Sequence, residues 1–265
     1  LAIEIFCYSY YDSDCGRSRC AKEQKLSHTV SGQRTDTIRE RQDIMYRACI
    51  FDLDGTLADT LDSLVFSVNK TMKEVGMPQI TEDQCRRFVG NGAKVLIEEA
   101  LKAGGDEELA RFEEAFEAYR RIFDANCTYE VKPYSGILAM LRQMKERGMK
   151  LGVLSNKPDR QAVHVVAEVF SRELFDAVQG QKEGVPRKPD PTAALTIAEQ
   201  FGVRPQETLY IGDSEVDAAT GKAAGMDTVL VSWGFRPKEV LREASPKWVV
   251  DRAEEIMDII RGAEQ

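Results

Sequence analysis

The chain has 265 residues, 43% of them hydrophobic and 30% charged, with a net charge of −8; it reads as a globular protein of one large domain or two unequal ones. The acidic balance argues against a nucleic-acid binder built on a basic face. The longest apolar runs, such as Leu151–Leu154 and Thr228–Trp233, are too short to span a bilayer, so no membrane partner is expected.

The N-terminus has neither a basic start nor a clean apolar stretch, so no secretory signal is readable and a cytoplasmic protein is expected. Six cysteines, at positions 7, 15, 20, 49, 85 and 127, form no CxxC pair and no zinc-like cluster, which suits free thiols in a reducing compartment. His28 and His164 are the sole histidines, so chemistry built on a histidine base has little to work with and carboxylates must carry it.

Residues 1–44 differ from the rest, with Tyr8, Tyr10 and Tyr11, three of the cysteines, and no sustained helical or strand period. They are expected to be a disordered or non-native extension, translated from upstream of a start at Met45. From Met45 the pattern changes. Ala48 to Asp52 predicts a buried strand. Leu61, Leu64, Val65, Val68, Met72 and Val75 predict a helix stopped by Gly76. Thr81-Glu-Asp-Gln84 has the form of a capping box, and Lys94–Lys102 and Glu107–Phe123 read as two further helices.

After Pro133 strands and helices alternate. Helices are expected from Ile137 to Gly148, Ala162 to Phe170, Ala193 to Phe201, Ala218 to Ala224 and Ala253 to Ile260. Strands are expected at Leu151–Leu154, Phe175–Val178, Thr208–Ile211, Thr228–Val231 and Trp248–Val250. Such alternation implies an α/β fold with a Rossmann-like parallel sheet covered by helices on both faces. Residues 45–60 and 132–265 would form that core, and 61–131 a small helical cap inserted after the first strand.

Ligands of open α/β sheets bind beyond the carboxyl ends of the strands. Those ends carry Asp52-Leu-Asp54-Gly-Thr56, Ser155-Asn156-Lys157 and Gly212-Asp213-Ser214-Glu215-Val216-Asp217, and the loop after the third strand carries Lys188-Pro-Asp-Pro191. Residues two apart on an extended segment face one side, so Asp52 and Asp54 can share a pocket. Clustered carboxylates need a cation, and hard oxygen ligands favour Mg2+. Asp52 could attack phosphorus as a carboxylate nucleophile, and Asp54 could protonate the leaving oxygen and later take a proton from water. Lys188 and Ser155 would hold phosphoryl oxygens. Each motif alone has a plainer reading, as turn residues, helix caps or a solvated lysine; their order and their strand-end placement together favour the site.

From Met45 onward these motifs resemble the haloacid dehalogenase superfamily: DLDGT is similar to its first motif, Ser155 to its second, Lys188 to its third, and Gly212-Asp213-Ser214 through Asp217 to its fourth. The resemblance implies Mg2+ held by Asp52, the main-chain carbonyl of Asp54, and Asp213, with Asp217 acting nearby through water or by holding Lys188. It also implies that the acid at Asp54 marks phosphate-ester chemistry, since members with other reactions lack one there. Phe88-Val-Gly-Asn-Gly-Ala93 resembles the cap loop of bacterial phosphoglycolate phosphatases, which makes 2-phosphoglycolate the expected substrate. Asn91 and Gly92 of that loop, with Thr56, Asn156 and Lys157, are the expected substrate-binding residues. One departure is the strongly charged stretch Gln181–Arg187 before the third motif. Pyrophosphate, nucleotides and sugar phosphates stay open as substrates. So do a phosphoglucomutase, for which Arg86-Arg87 on the cap is a weak candidate pair, and a non-catalytic binding protein. The sequence carries no signal for oligomeric state.

Overall fold

A computed structural model of the chain describes residues 45–263. The expected extension at 1–44 lies outside the described residues.

The first strand, β1 (Ala48–Phe51), is the centre of the fold. Its four residues are fully buried and alternate between two packed faces. Cys49 and Phe51 join one apolar cluster, Ala48 and Ile50 the other. A two-residue strand, β2 (Ala58–Asp59), follows, and then come the inserted helices: α1 (Leu61–Glu74), α2 (Glu82–Phe88), α3 (Gly92–Ala103) and α4 (Phe112–Asn126). A second short strand, β3 (Lys132–Pro133), pairs antiparallel with β2. The two linkers between insert and core are thus tied to each other where the chain leaves and re-enters.

The remaining elements are α5 (Ile137–Glu146), β4 (Lys150–Pro158), α6 (Asp159–Phe170), β5 (Ala177–Gln181), α7 (Thr192–Gln200), β6 (Thr208–Gly212), α8 (Glu215–Ala223), β7 (Asp227–Val231), α9 (Lys238–Glu243), β8 (Trp248–Val250) and α10 (Ala253–Gly262). The strands form one parallel sheet in the order β5-β4-β1-β6-β7-β8. Helices α5, α6 and α10 contribute to the apolar cluster on one face, and α7 packs on the other. This is the doubly covered, Rossmann-like sheet that the alternation implied. Strand order reverses about β1, so a crevice opens at its carboxyl end between β4 and β6.

Local chemistry explains most boundaries. Thr81 and Gln84 form the reciprocal capping box at the start of α2. The fourth helix starts at Phe112 and not at Glu107, because the Asp106 carboxylate accepts from the Ala110 and Arg111 amides and holds residues 106–111 as a turn. Three elements lack an expected counterpart: α9, one short turn-and-a-half burying Leu241, and the two paired strands β2 and β3.

Asp176 pins three elements together. It accepts from Lys145 Nζ on α5, from Lys150 Nζ and from the Leu151 amide on β4, at 2.9, 3.0 and 2.9 Å. Burial opposes its charge, but the Leu151 amide and the two lysines win and bring its pKa down to about 2. A depressed carboxylate stabilises the fold above its unfolded pKa of roughly 3.9 and loses that contribution as pH falls towards 2. Asp176→Asn should therefore lower the melting temperature at pH 7, and the gap to the parent should close between pH 5 and pH 2, as followed by circular dichroism.

Candidate active site

The turn after β1 fixes two acids at the crevice. The amides of Leu57 and Ala58 bond to the Leu53 carbonyl, each at 3.1 Å, and the Gly55 amide bonds to Ala58 O at 3.0 Å, so the chain reverses at once after Asp54. Gly55 has φ +80°, and a Cβ there would lie 2.3 Å from Asp213 Oδ2. Only glycine meets both demands.

Asp52 is buried at 8% exposure beside Asp213 at 3% and Asp217 at 0%. The three can each offer a carboxylate oxygen within 4.8 Å of the others. Lys188, itself 4% exposed, places Nζ 2.8 Å from Asp52 Oδ1 and 2.8 Å from Asp217 Oδ1. Burial pushes the Asp52 carboxyl up to about 7; Lys188 pulls against that rise, and Asp217 and Asp54 add to it. Burial also raises Asp213 well above the usual carboxylate range, with Asp217 and Asp52 contributing. For Lys188 burial works the other way, yet Asp217 and Asp52 hold its pKa well above that of a free lysine. One lysine among three buried carboxylates leaves negative charge uncompensated, and the donors are hard oxygens. That set fits a divalent cation such as Mg2+.

Each carboxylate is held in its own way. Asp213 Oδ2 accepts from the Phe235 amide at 2.7 Å, in a loop at the carboxyl end of β7. Gly234 in that loop leaves room for it, since a Cβ there would come within 2.3 Å of Asp213 Cβ. Asp217 closes a capping box at the head of α8: its Oδ2 accepts from Ser214 Oγ at 2.6 Å and from the Ser214 amide at 3.2 Å, and its other oxygen takes Lys188. Of the two roles open for Asp217, the structure shows the contact with Lys188.

Asp54 is paired with Lys157, Nζ to Oδ1 at 2.8 Å, and the ammonium lies over the Phe123 ring at 4.7 Å from its centroid. Ser155 and Lys157, two apart on β4, both line the cleft, and the Lys157 amide donates to Ser155 Oγ at 3.2 Å. Asn156 between them works as a tether. Its Oδ1 accepts from the Lys188 amide at 3.0 Å, and its Nδ2 donates to Lys188 O at 3.2 Å and to Gly90 O of the cap at 2.9 Å.

The cleft measures about 600 Å3, counting its solvent-open mouth, and its far wall is the cap: Leu64, Val89, Gly92, Leu96, Tyr119 and Phe123. Of the expected site residues, Asp52, Asp54, Ser155, Asn156, Lys157, Lys188, Asp213 and Gly92 line it. Asp217 stands behind Lys188. Thr56 is buried outside the lining, its carbonyl accepting from Trp233 Nε1 at 3.1 Å. Asn91 has an exposed position, and the contact it makes across the cap boundary is through its carbonyl, which accepts from Arg187 Nη1 at 2.7 Å. Arg86 lies outside the lining as well, paired with Glu82 and set over the Phe235 ring.

The sequence reading passed over Tyr119, Phe123 and the segment Ser232–Pro237. Arg236 of that segment donates to Arg86 O at 3.0 Å and Val89 O at 2.6 Å, and pairs with Glu215 at 3.2 Å. The signal was available, since Trp233-Gly-Phe-Arg236 directly follows a strand whose carboxyl end borders the same edge.

Comparison with known proteins agrees with this geometry. Residues 49–231 match the family model of the haloacid dehalogenase-like hydrolases. A phosphoglycolate phosphatase from Haemophilus influenzae is 33% identical over 218 residues, covering 79% of this chain and 96% of the relative. Phosphoglycolate phosphatase 1 of Pseudomonas aeruginosa is 31% identical, covering 80% and 78%. Among solved structures, a predicted phosphoglycolate phosphatase from Haemophilus somnus superposes with a TM-score of 0.76 at 26% identity, over 81% of this chain and 98% of the other. With its DLDGT turn, its paired lysine and its strand-end acids in the family's order, this chain belongs to the haloacid dehalogenase-like hydrolases.

Proposed function

We propose that this hydrolase is a Mg2+-dependent phosphoric monoester hydrolase acting through an aspartyl-phosphate on Asp52, with 2-phosphoglycolate as its substrate. The observation that carries the reading is the pair Asp52 and Asp54 at the end of the central strand. One acid is held by Lys188 among carboxylates, and the other faces the same cleft with its own lysine. The names of the relatives support the substrate.

In the first half-reaction an Asp52 carboxylate oxygen attacks phosphorus and the ester P–O bond breaks. Asp54 gives its proton to the leaving oxygen. In the second, Asp54 takes a proton from water, the water oxygen bonds to phosphorus, and the acyl phosphate bond breaks to release inorganic phosphate and restore Asp52. Lys188 and Ser155 hold phosphoryl oxygens while charge shifts among them. Asp217 keeps Lys188 in place. Asp52, the Asp54 carbonyl and Asp213 would hold Mg2+, which supplies positive charge against the carboxylates and the phosphoryl oxygens. The cap, residues 61–131, presents an apolar wall that keeps bulk water from the acyl phosphate.

In a phosphate-release panel with Mg2+, 2-phosphoglycolate should give the highest kcat/KM against pyrophosphate, nucleoside monophosphates and sugar phosphates. A preference for any of the others would displace the substrate but not the mechanism, and chelation with EDTA should abolish release from all of them. Asp52→Asn should lose activity by a factor on the order of 10^4 or more with its circular dichroism unchanged, because an amide is a poor nucleophile. Asp54→Asn should slow turnover and accumulate phosphorylated protein, seen as an added phosphate by intact mass. Gly212→Ala offers a test of Asp217, since the new Cβ would lie 2.2 Å from Asp217 Cβ and Cγ. Displacing that residue shifts Lys188, and a shift of this kind should cost roughly 100-fold in kcat.

A further inference from the structure

Three cationic side chains line the cleft: Lys188, Arg236 and Lys157. Lys188 is taken up by Asp52 and Asp217. Arg236 is taken up by Glu215 and by two carbonyls of the cap. Lys157 is different. Its side chain is 2% exposed, yet its ammonium, which has three donors, meets one acceptor among the described residues, Asp54 Oδ1. A buried ammonium with donors to spare is costly unless a further anion meets it.

The position of that ammonium says which anion. Asp54 is the acid placed to meet the leaving oxygen, and Lys157 Nζ stands 2.8 Å from it, so whatever is attached to the leaving oxygen passes beside Lys157. The surrounding cap wall of Leu64, Val89, Leu96 and Phe123 offers no competing charge. When Asp54 carries the proton that it gives to the leaving oxygen, the buried Lys157 ammonium faces no negative charge of its own there, and a carboxylate on the leaving group supplies one.

Resting on the phosphatase reading above, we propose that Lys157 is the specificity-determining residue of this cleft. It selects phosphomonoesters whose leaving group carries a carboxylate one carbon from the ester oxygen, by bridging that carboxylate and Asp54. An ester with an alkyl group at the same place leaves the ammonium half-partnered and sets apolar surface against a charge. Discrimination then arises from both sides of the comparison.

The test compares 2-phosphoglycolate with ethyl phosphate, in which a methyl replaces the carboxylate, for the parent protein and for Lys157→Gln, Lys157→Met and Lys157→Arg. The parent should favour 2-phosphoglycolate by about 100-fold or more in kcat/KM. In the Gln and Met variants both rates fall as Asp54 loses its partner, but the ratio between the esters should drop below about 10, and Arg should restore part of it. Calorimetric titration in an Asp52→Asn background gives a readout without turnover. Adding Lys157→Gln should weaken 2-phosphoglycolate binding at least 30-fold more than ethyl phosphate binding. A ratio retained in both neutral variants, or a parent protein that treats the two esters alike, would overturn the proposal and leave Lys157 as a support for Asp54. Release of phosphate from neither ester would sink the hydrolytic reading instead, and the titration would then decide the role of Lys157 by itself.

Discussion

The structure turns on one unbalanced charge cluster. Three carboxylates are buried together beyond the carboxyl ends of β1 and β6, and the one lysine among them pairs with two, Asp52 and Asp217. Such a cluster is unstable in isolation, because burial and mutual repulsion both work against ionisation. The fold holds it by fixing each group separately: the bond from its own amide to Ile211 O for Asp52, the Phe235 amide for Asp213, and the capping box of α8 for Asp217. Asp52 and Asp213 are thus supplied by the ends of two neighbouring strands, Asp217 by the first turn of α8, and Lys188 arrives from the loop after β5. A parallel sheet delivers its carboxyl ends to one edge, which is why this architecture can assemble such a set.

The second acid is governed by a different lysine. Asp54 lies outside the triad and belongs electrically to Lys157, under the aromatic face of Phe123 from the cap. The cleft therefore has two poles. One is built by the core around Lys188, and the other is built jointly by β4 and the inserted helices. In the proposed mechanism the phosphoryl group would meet the first pole and the leaving group the second.

Much of this could be read from the residues alone. Ala48–Phe51, Thr208–Gly212 and Trp248–Val250 declared themselves by short apolar runs, and the stops at Gly76 and Gly148 by the glycines themselves. Asp52, Asp54, Lys188 and Asp213 stood out because their motifs fall at strand ends in a fixed order. What stayed hidden depends on partners distant in the chain. Nothing local marks Asn156 as a tether, because its partners are Gly90 and Lys188. Arg236 finds its acceptors some 150 positions away, at Arg86 and Val89, and Phe123 meets the Lys157 ammonium from across the chain. The missed α9 and the β2/β3 ribbon are too short for a period to show, and the late start of α4 was set by a side-chain bond from Asp106.

The hydrogen bonds that seat residues 86–91 of the cap on the core have one property in common. Arg236, Asn156 and Arg187 all donate to main-chain carbonyls of the cap, those of Arg86, Val89, Gly90 and Asn91. A carbonyl is present whatever residue bears it. The side chains of residues 86–91 can thus change without loss of these hydrogen bonds, whereas elsewhere on the cap Arg160 and Gln161 of the core reach the Asp124 side chain. The donors, by contrast, sit next in sequence to Ser155, Lys188 and Phe235, where a change would disturb the chemistry. A substitution among residues 86–91 thus spares this seam, and a substitution among its donors breaks it.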